Sequence, residues 1–237
     1  MSISMCRPVF RALPLCLLAL LLMPVVHAAG MVPQTPVLVV DEGVGEATMN
    51  VRNTETRPAL LHTTVVDIEP HDQTLLLFSP SVARVEAGAV QQVRFILQSA
   101  EPLQTERLKR VIFEGINPVT GVDGARVNLG GRQNLPVILR PAGLPVEREP
   151  WKRLSWSATA EGLLVSNPSP YVVRLAKAIV PLPGTQVVEL PRTWILPGER
   201  LAVRLPLSST VRAMAVRIFP ATTYGFAVDH FDAPVTH

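Results

Sequence analysis

His62, His71, His230 and His237 are the histidines beyond residue 30, and side chains of this type can move protons or ligate metals. The densest donor group is Asp229-His230-Phe231-Asp232, with two carboxylates and an imidazole in four residues near the C-terminus. Short metal-binding motifs space their ligands so that one helix face or one hairpin presents them together, and that spacing is missing here. The stretch reads as a polar tail. No serine stands in a Gly-x-Ser-x-Gly elbow or a Ser-x-x-Lys pair, so no activated nucleophile is found. GVGEAT at 43–48 lacks the third glycine of a dinucleotide fingerprint and reads as a hairpin turn. These residue types predict a protein that is not an enzyme, with no catalytic residue, no metal and no cofactor.

The elements that must carry any binding site are strands. Apolar stretches of five to eight residues recur between turn signals, among them VQQVRFIL, RVIFEGI and LPVILRP, and beyond residue 150 the rhythm resumes with YVVRLAKAIV, VRAMAVRIF and a last weak segment near Phe226. Several alternate, and prolines or glycines separate them at the spacing of antiparallel sandwiches. PLQTERLKRV at 102–111 reads as a loop leading into a strand. PAGLPVEREP at 141–150, with three prolines and three charged residues, reads as a short stiff linker. The expected organisation is therefore a first domain over 29–141, a linker over 142–150 and a second domain over 151–237, each near the size of an immunoglobulin-like sandwich.

Before them, Met1–Ala28 has the parts of a cleavable secretory signal: Arg7 and Arg11, the apolar run Leu15–Met23, and Val26-His27-Ala28. The run is interrupted by Pro14 and Pro24 and is shorter than the roughly 20 residues of a membrane span, so no stable membrane insertion is expected. Both cysteines, Cys6 and Cys16, fall within it, which leaves the mature chain to stabilise itself by core burial alone. Without Arg7 and Arg11 the excess of basic over acidic residues falls from three to one. With no basic run and few aromatics, no nucleic-acid partner is expected.

SNPSPYVV at 166–173 combines an asparagine able to form an Asx turn with two prolines that fix φ, after which Tyr171 begins a strand. The segment resembles the Asn-Pro-Thr/Ser-Pro-Tyr-hydrophobic stretch in the second domain of periplasmic pilus chaperones of the chaperone/usher pathway. VARVEAGAVQQVRFIL at 82–97 resembles a first-domain strand pair of that family; Arg140-Pro141, the turn Leu196–Glu199 and PWKRLSW at 150–156 match further segments in the same order.

The resemblance implies an all-β protein of two immunoglobulin-like β-sandwich domains in a boomerang arrangement. It implies a periplasmic chaperone that lends a strand to pilus or fimbrial subunits and delivers them to an outer-membrane usher. The lent strand should lie within 124–141, where Ala125, Val127 and Leu129 share one face by the period of two; packing in the chaperone's own core is the alternative for these three. Family members bind the subunit's C-terminal carboxylate with an arginine and a lysine, at positions that hold Pro36 and Pro136 here. Arg132 is the nearest basic substitute, with Arg126 and Arg110 as further candidates; a solvated strand-edge arginine is the alternative for Arg126 and Arg132. Arg140 should pair charges between the domains, although the family's acidic partner is replaced by Thr223. The loop NPVTGVDG at 117–124 is short and has no cysteine. The competing reading is a secreted adhesive or structural sandwich protein of a fimbrial system.

Overall fold

Alternation of apolar and polar residues forces a strand to choose an inside and an outside, and nearly every strand here obeys it. The computed structural model describes residues 30–68, 76–117, 131–205 and 213–237. The expected signal peptide Met1–Ala28, His71, nearly all of the loop 117–124, and Ala125, Arg126, Val127 and Leu129 lie outside the described residues.

The first domain contains β1 (Met31–Pro33), β2 (Leu38–Asp41), β3 (Glu46–Asn53), β4 (Ala59–Asp67), β5 (Leu76–Ser79), β6 (Val82–Val85), β7 (Val90–Leu97), β8 (Arg107–Ile116) and β9 (Arg132–Arg140). They form two sheets, ordered β1-β3-β7-β5 and β2-β9-β8-β4-β6, antiparallel except for the parallel pair β2–β9. The inward residues of both sheets build one core: Met49 and Val51 on β3, Val93 and Phe95 on β7, Leu61 on β4, Val111 and Phe113 on β8, and Val137 and Leu139 on β9. Phe95 meets Phe113 edge-on, with ring centroids 6.5 Å apart, across the two layers.

β9 departs from simple alternation. From Pro136 to Arg140 every residue is buried, because Val137 and Leu139 enter the first core while Ile138 enters a separate apolar cluster under the second domain. A strand covered on both faces reads as a continuous apolar run, which is what LPVIL is.

The turn at 43–45 is not a hairpin. β2 pairs only with β9, whereas β3 pairs with β1 and β7, so the chain crosses here from one sheet to the other. The Val44 and Gly45 amides both donate to the Asp41 carbonyl, the Gly43 amide donates to Asp41 Oδ1 at 2.8 Å, and Gly45 takes the positive φ of 79° that closes the corner.

A 3-10 turn, Pro150–Arg153, opens the second domain and buries Trp151. It is followed by β10 (Ser155–Thr159), β11 (Gly162–Ser166), β12 (Val173–Leu182), β13 (Val188–Glu189), β14 (Trp194–Ile195), β15 (Arg200–Arg204), β16 (Ala215–Ala221) and β17 (Phe231–Thr236). The ladder runs β13-β12-β16-β17-β10-β11-β15, with β14 also on β12. It is continuous because β17 pairs antiparallel with β16 through Phe231–Pro234 and then parallel with β10 through Val235 and Thr236. Its core holds Trp156, Leu163, Val165, Leu175, Ile179, Val216 and Ile218.

The second half of the polar tail expected at 229–232, Phe231 and Asp232, is therefore the beginning of a strand. Ala233 and Val235 bury on the inner face, and Asp232 forms a two-pronged ion pair with Arg217 on β16 at 2.7 and 2.8 Å. Phe226 lies in the preceding turn, well exposed, and is not part of this strand.

Candidate functional site

The segment 166–172 sits where the two domains meet, and its own chemistry explains why. Asn167 is almost fully buried. Its Oδ1 accepts from the Ser169 amide at 3.2 Å and the Ser169 hydroxyl at 2.6 Å, and its Nδ2 donates to the carbonyls of Tyr171 at 2.8 Å and Ile195 at 3.1 Å. This Asx turn, with Pro168 and Pro170 limiting φ, holds the corner between β11 and β12, which lie in different parts of the ladder. Regular pairing starts at Val173, later than the tyrosine from which a strand was expected, because Tyr171 and Val172 are used against the first domain.

Glu106, in the loop before β8, is the counterpart. Its amide donates to the Pro170 carbonyl at 2.8 Å, and its Oε2 accepts from the Val172 amide at 2.9 Å. Its Oε1 lies 3.4 Å from Nε of Arg140, the last residue of β9. Both side chains are buried; burial pushes the Glu106 carboxyl above its ordinary value, against the lowering effects of the Val172 amide and Arg140. Around this pair Val37, Leu108, Ile138, Val172 and Leu196 form a third apolar cluster drawn from both domains.

Two further bonds flank the cluster. The Tyr171 hydroxyl donates to the Pro145 carbonyl at 3.0 Å, and the Thr223 hydroxyl donates to the Glu147 carbonyl at 3.1 Å. Thr223 thus meets the linker backbone rather than Arg140. Gly225, at φ 92°, lies against Pro36, so a Cβ added there would come within 2.9 Å of Pro36 Cγ. Pro36 is accordingly a packing residue at the seam.

Beside the seam a cleft of about 180 Å³ opens between the domains, lined by Leu108, Arg110, Pro136, Arg174, Thr193 and Trp194 among others. Arg110 on β8 and Pro136 on β9 are register partners, which puts Arg110 directly across from the position where a lysine was expected. Arg110 is half-buried, with Nε 2.5 Å from Asn134 Oδ1 and Nη2 2.7 Å from the Asn134 carbonyl, and burial lowers its affinity for its proton. Arg132 lies apart from it, exposed at the start of β9 opposite Glu114. The described residues therefore divide the candidates: Arg140 in the seam, Arg110 in the cleft, Arg132 at the far end of β9.

Glu106, Arg174 and Trp194 were not singled out from the sequence. Nothing local marks them, since each acquires its neighbours from the other domain or from distant strands. A larger cavity of about 500 Å³ lies between Pro58, Leu60, Arg84 and Asn117. Its lining carries Glu55, Arg57 and Arg84, with no link to the seam.

Residues 30–145 match the family model described as pili and flagellar-assembly chaperone, PapD N-terminal domain, and residues 149–231 match pili assembly chaperone PapD, C-terminal domain. The chain is 44% identical to the uncharacterized fimbrial chaperone YhcA of Escherichia coli (strain K12) over 84% of its own length and 88% of the relative's. It is 28% identical to the chaperone protein MrkB of Klebsiella pneumoniae over 56% of its length and 61% of the relative's. Among solved structures, the Escherichia coli chaperone DraB superposes with a TM-score of 0.70 at 20% identity, covering 88% of this chain and all of that one. The SafB chaperone of Salmonella enterica, solved with the SafA pilin, gives 0.73 at 19% identity over 88% and 98%. Two sandwiches joined by a buried seam, with both family models and a relative matched over most of its length in agreement, place the chain in the non-enzymatic family of fimbrial chaperones of the chaperone/usher pathway.

Proposed function

We propose that this protein acts in the periplasm, where it binds pilus or fimbrial subunits by completing their sheet with one of its own strands and passes them to an outer-membrane usher. The observation that carries this reading is the setting of β9. It is clamped between β2 and β8, it ends in the interdomain seam, and the chain enters it directly from the segment that holds Ala125, Val127 and Leu129. A strand firmly held at one end can offer its backbone groups and alternate apolar side chains to an open sheet edge without unfolding its owner. Among the candidate arginines, Arg110 is the one whose cleft position suits it to hold a guest's C-terminal carboxylate; Arg132, exposed and distant from the cleft lining, is better read as a solvated edge residue, and Arg126 stays with the lent strand. The related SafB chaperone was solved with a pilin, which supports subunits as the guests.

The test is co-production with the small secreted proteins encoded beside it. The wild-type chain should co-purify with a subunit from the periplasmic fraction. The double variant Val127→Asp, Leu129→Asp should lose the subunit while keeping its own far-UV circular dichroism spectrum. Normal subunit yield with that variant would refute the strand assignment.

A further inference from the structure

Glu42 follows β2 directly, and its side chain joins two segments far from it in sequence. Its backbone amide donates to the Arg140 carbonyl at 2.9 Å and so closes the β2–β9 ladder. One carboxylate oxygen accepts from the Leu103 amide at 2.8 Å, 61 residues on, and the other from the Ala142 amide at 3.0 Å, 100 residues on. Each bond begins a route into the second domain. Leu103 has its side chain in the first core, and three residues later the same loop presents Glu106, whose amide reaches Pro170 and whose carboxylate reaches Val172. Ala142 enters a turn in which the Leu144 amide returns to the Pro141 carbonyl at 3.3 Å and Gly143 takes a φ of 73°, as the third residue of a type II turn must. The next residue is Pro145, whose carbonyl accepts from the Tyr171 hydroxyl. Both routes therefore end on 170–172.

Beyond Pro145 the expected linker is fastened to the second domain. The Glu147 carbonyl accepts from Thr223, and its carboxylate pairs at 2.7 Å with Arg153, whose guanidinium lies over the Tyr171 ring. Only Gly143 and Leu144 stand between Ala142, held by the first domain, and Pro145, held by the second. We propose that Glu42 is the positioning residue of this joint: by holding the Glu106 loop and the root of the linker with one carboxylate, it fixes the angle between the two domains. The residue type suits the task, because both oxygens of an ionised carboxylate accept, whereas a glutamine has one acceptor and would aim its own donors at the second amide. The role goes beyond guest binding and holds whichever guest the protein carries.

Residual dipolar couplings of the full chain, labelled with nitrogen-15, read the angle, and amide hydrogen exchange reads the Glu106 route. In the wild type both domains should fit one alignment tensor. Glu42→Ala should give each domain its own tensor and speed exchange of the Val172 amide about tenfold or more, the scale of one lost charge-assisted hydrogen bond, while the slowest amides of β7 and β16 keep their rates. Glu42→Gln should fall between the two. Ala142→Pro deletes the donor of the linker route alone, at a turn position that proline suits; it should part the tensors less than Glu42→Ala and leave Val172 exchange unchanged. Val93→Ala, which weakens the first domain from inside its core, should lower stability and keep the common tensor. If Glu42→Ala does not fold, Glu42→Gln and Ala142→Pro decide the matter. A common tensor with wild-type Val172 exchange in Glu42→Ala, or a Glu42→Gln protein indistinguishable from wild type in both measurements, would overturn the assignment. So would tensors that part equally in Val93→Ala, since the angle would then follow first-domain stability rather than the Glu42 carboxylate.

Discussion

Glu106→Ala is the sharpest perturbation of the seam. In the folded protein Glu106 offers one carboxylate oxygen to the Val172 amide at 2.9 Å and the other to Arg140 at 3.4 Å, with all three groups buried. Alanine would leave the guanidinium without its countercharge and the amide without its acceptor. Removing one member of a buried pair costs about 3–5 kcal/mol, and an orphaned amide about 1–3 kcal/mol. Water entering the vacated space offsets part of the second figure, so a loss of about 4 kcal/mol is expected, a large share of the stability of an ordinary domain. Glu106→Gln should cost much less. It keeps an acceptor for Val172 and resembles the protonated carboxyl that burial favours.

The pH dependence has a definite sign. The folded carboxyl titrates above its ordinary value of 4.5, so its contribution is fully present below that value and is lost as pH rises through the folded one. The stability of wild type relative to Glu106→Gln should therefore increase as pH falls from neutral toward 4.5. Urea unfolding with two probes reads both effects. Trp151, Trp156 and Trp194 all lie in the second domain, so tryptophan fluorescence follows that domain while far-UV circular dichroism follows both. The two curves should coincide for wild type and separate for Glu106→Ala. A loss below about 1 kcal/mol with coincident curves would refute the assignment of the seam to this pair.

Asn167→Ala removes an acceptor and two donors at a nearly buried corner and should destabilise the second domain by about 3 kcal/mol, measured as a shift in the fluorescence-detected urea midpoint. Gly225→Ala forces a side chain into a left-handed backbone conformation and against Pro36 and Val37, with an expected cost of about 2 kcal/mol. The same change should speed proteolytic cleavage within 141–150, because it loosens the seam from the second-domain side. Arg132→Gln should leave both the unfolding curve and subunit capture unchanged.

The strands were readable because period two survives in a single sequence: VQQVRFIL and RVIFEGI put Val93, Phe95, Val111 and Phe113 inside. Which sheet a strand joins was not. GVGEAT has the glycines of a hairpin, yet β2 finds its partner in β9, nearly a hundred residues away in sequence, and local turn chemistry carries no record of that choice. Asp229 to Asp232 looked like a tail because its polar residues dominate a short window. Only the ladder to β16 and β10 shows that Ala233 and Val235 face a core. The seam was legible by half: Arg140 stood out through its place before Pro141, but its described partner Glu106 sits in a loop whose burial depends on a second domain. Arg174 and Trp194 escaped for the same reason.

β9 is paired antiparallel with β8 along nearly its whole length, and over Val137–Arg140 it is also paired parallel with β2. A pull along its axis from Arg132 would load the β8 ladder in shear and, near the seam, the β2 ladder with it, many hydrogen bonds sharing the force at once, whereas a force across the strand would peel it bond by bond. At about 3.3 Å per residue it forms a taut rod roughly 30 Å long that ends on Arg140. Tension applied at one tip is thus delivered to the joint between the domains without the strand itself giving way.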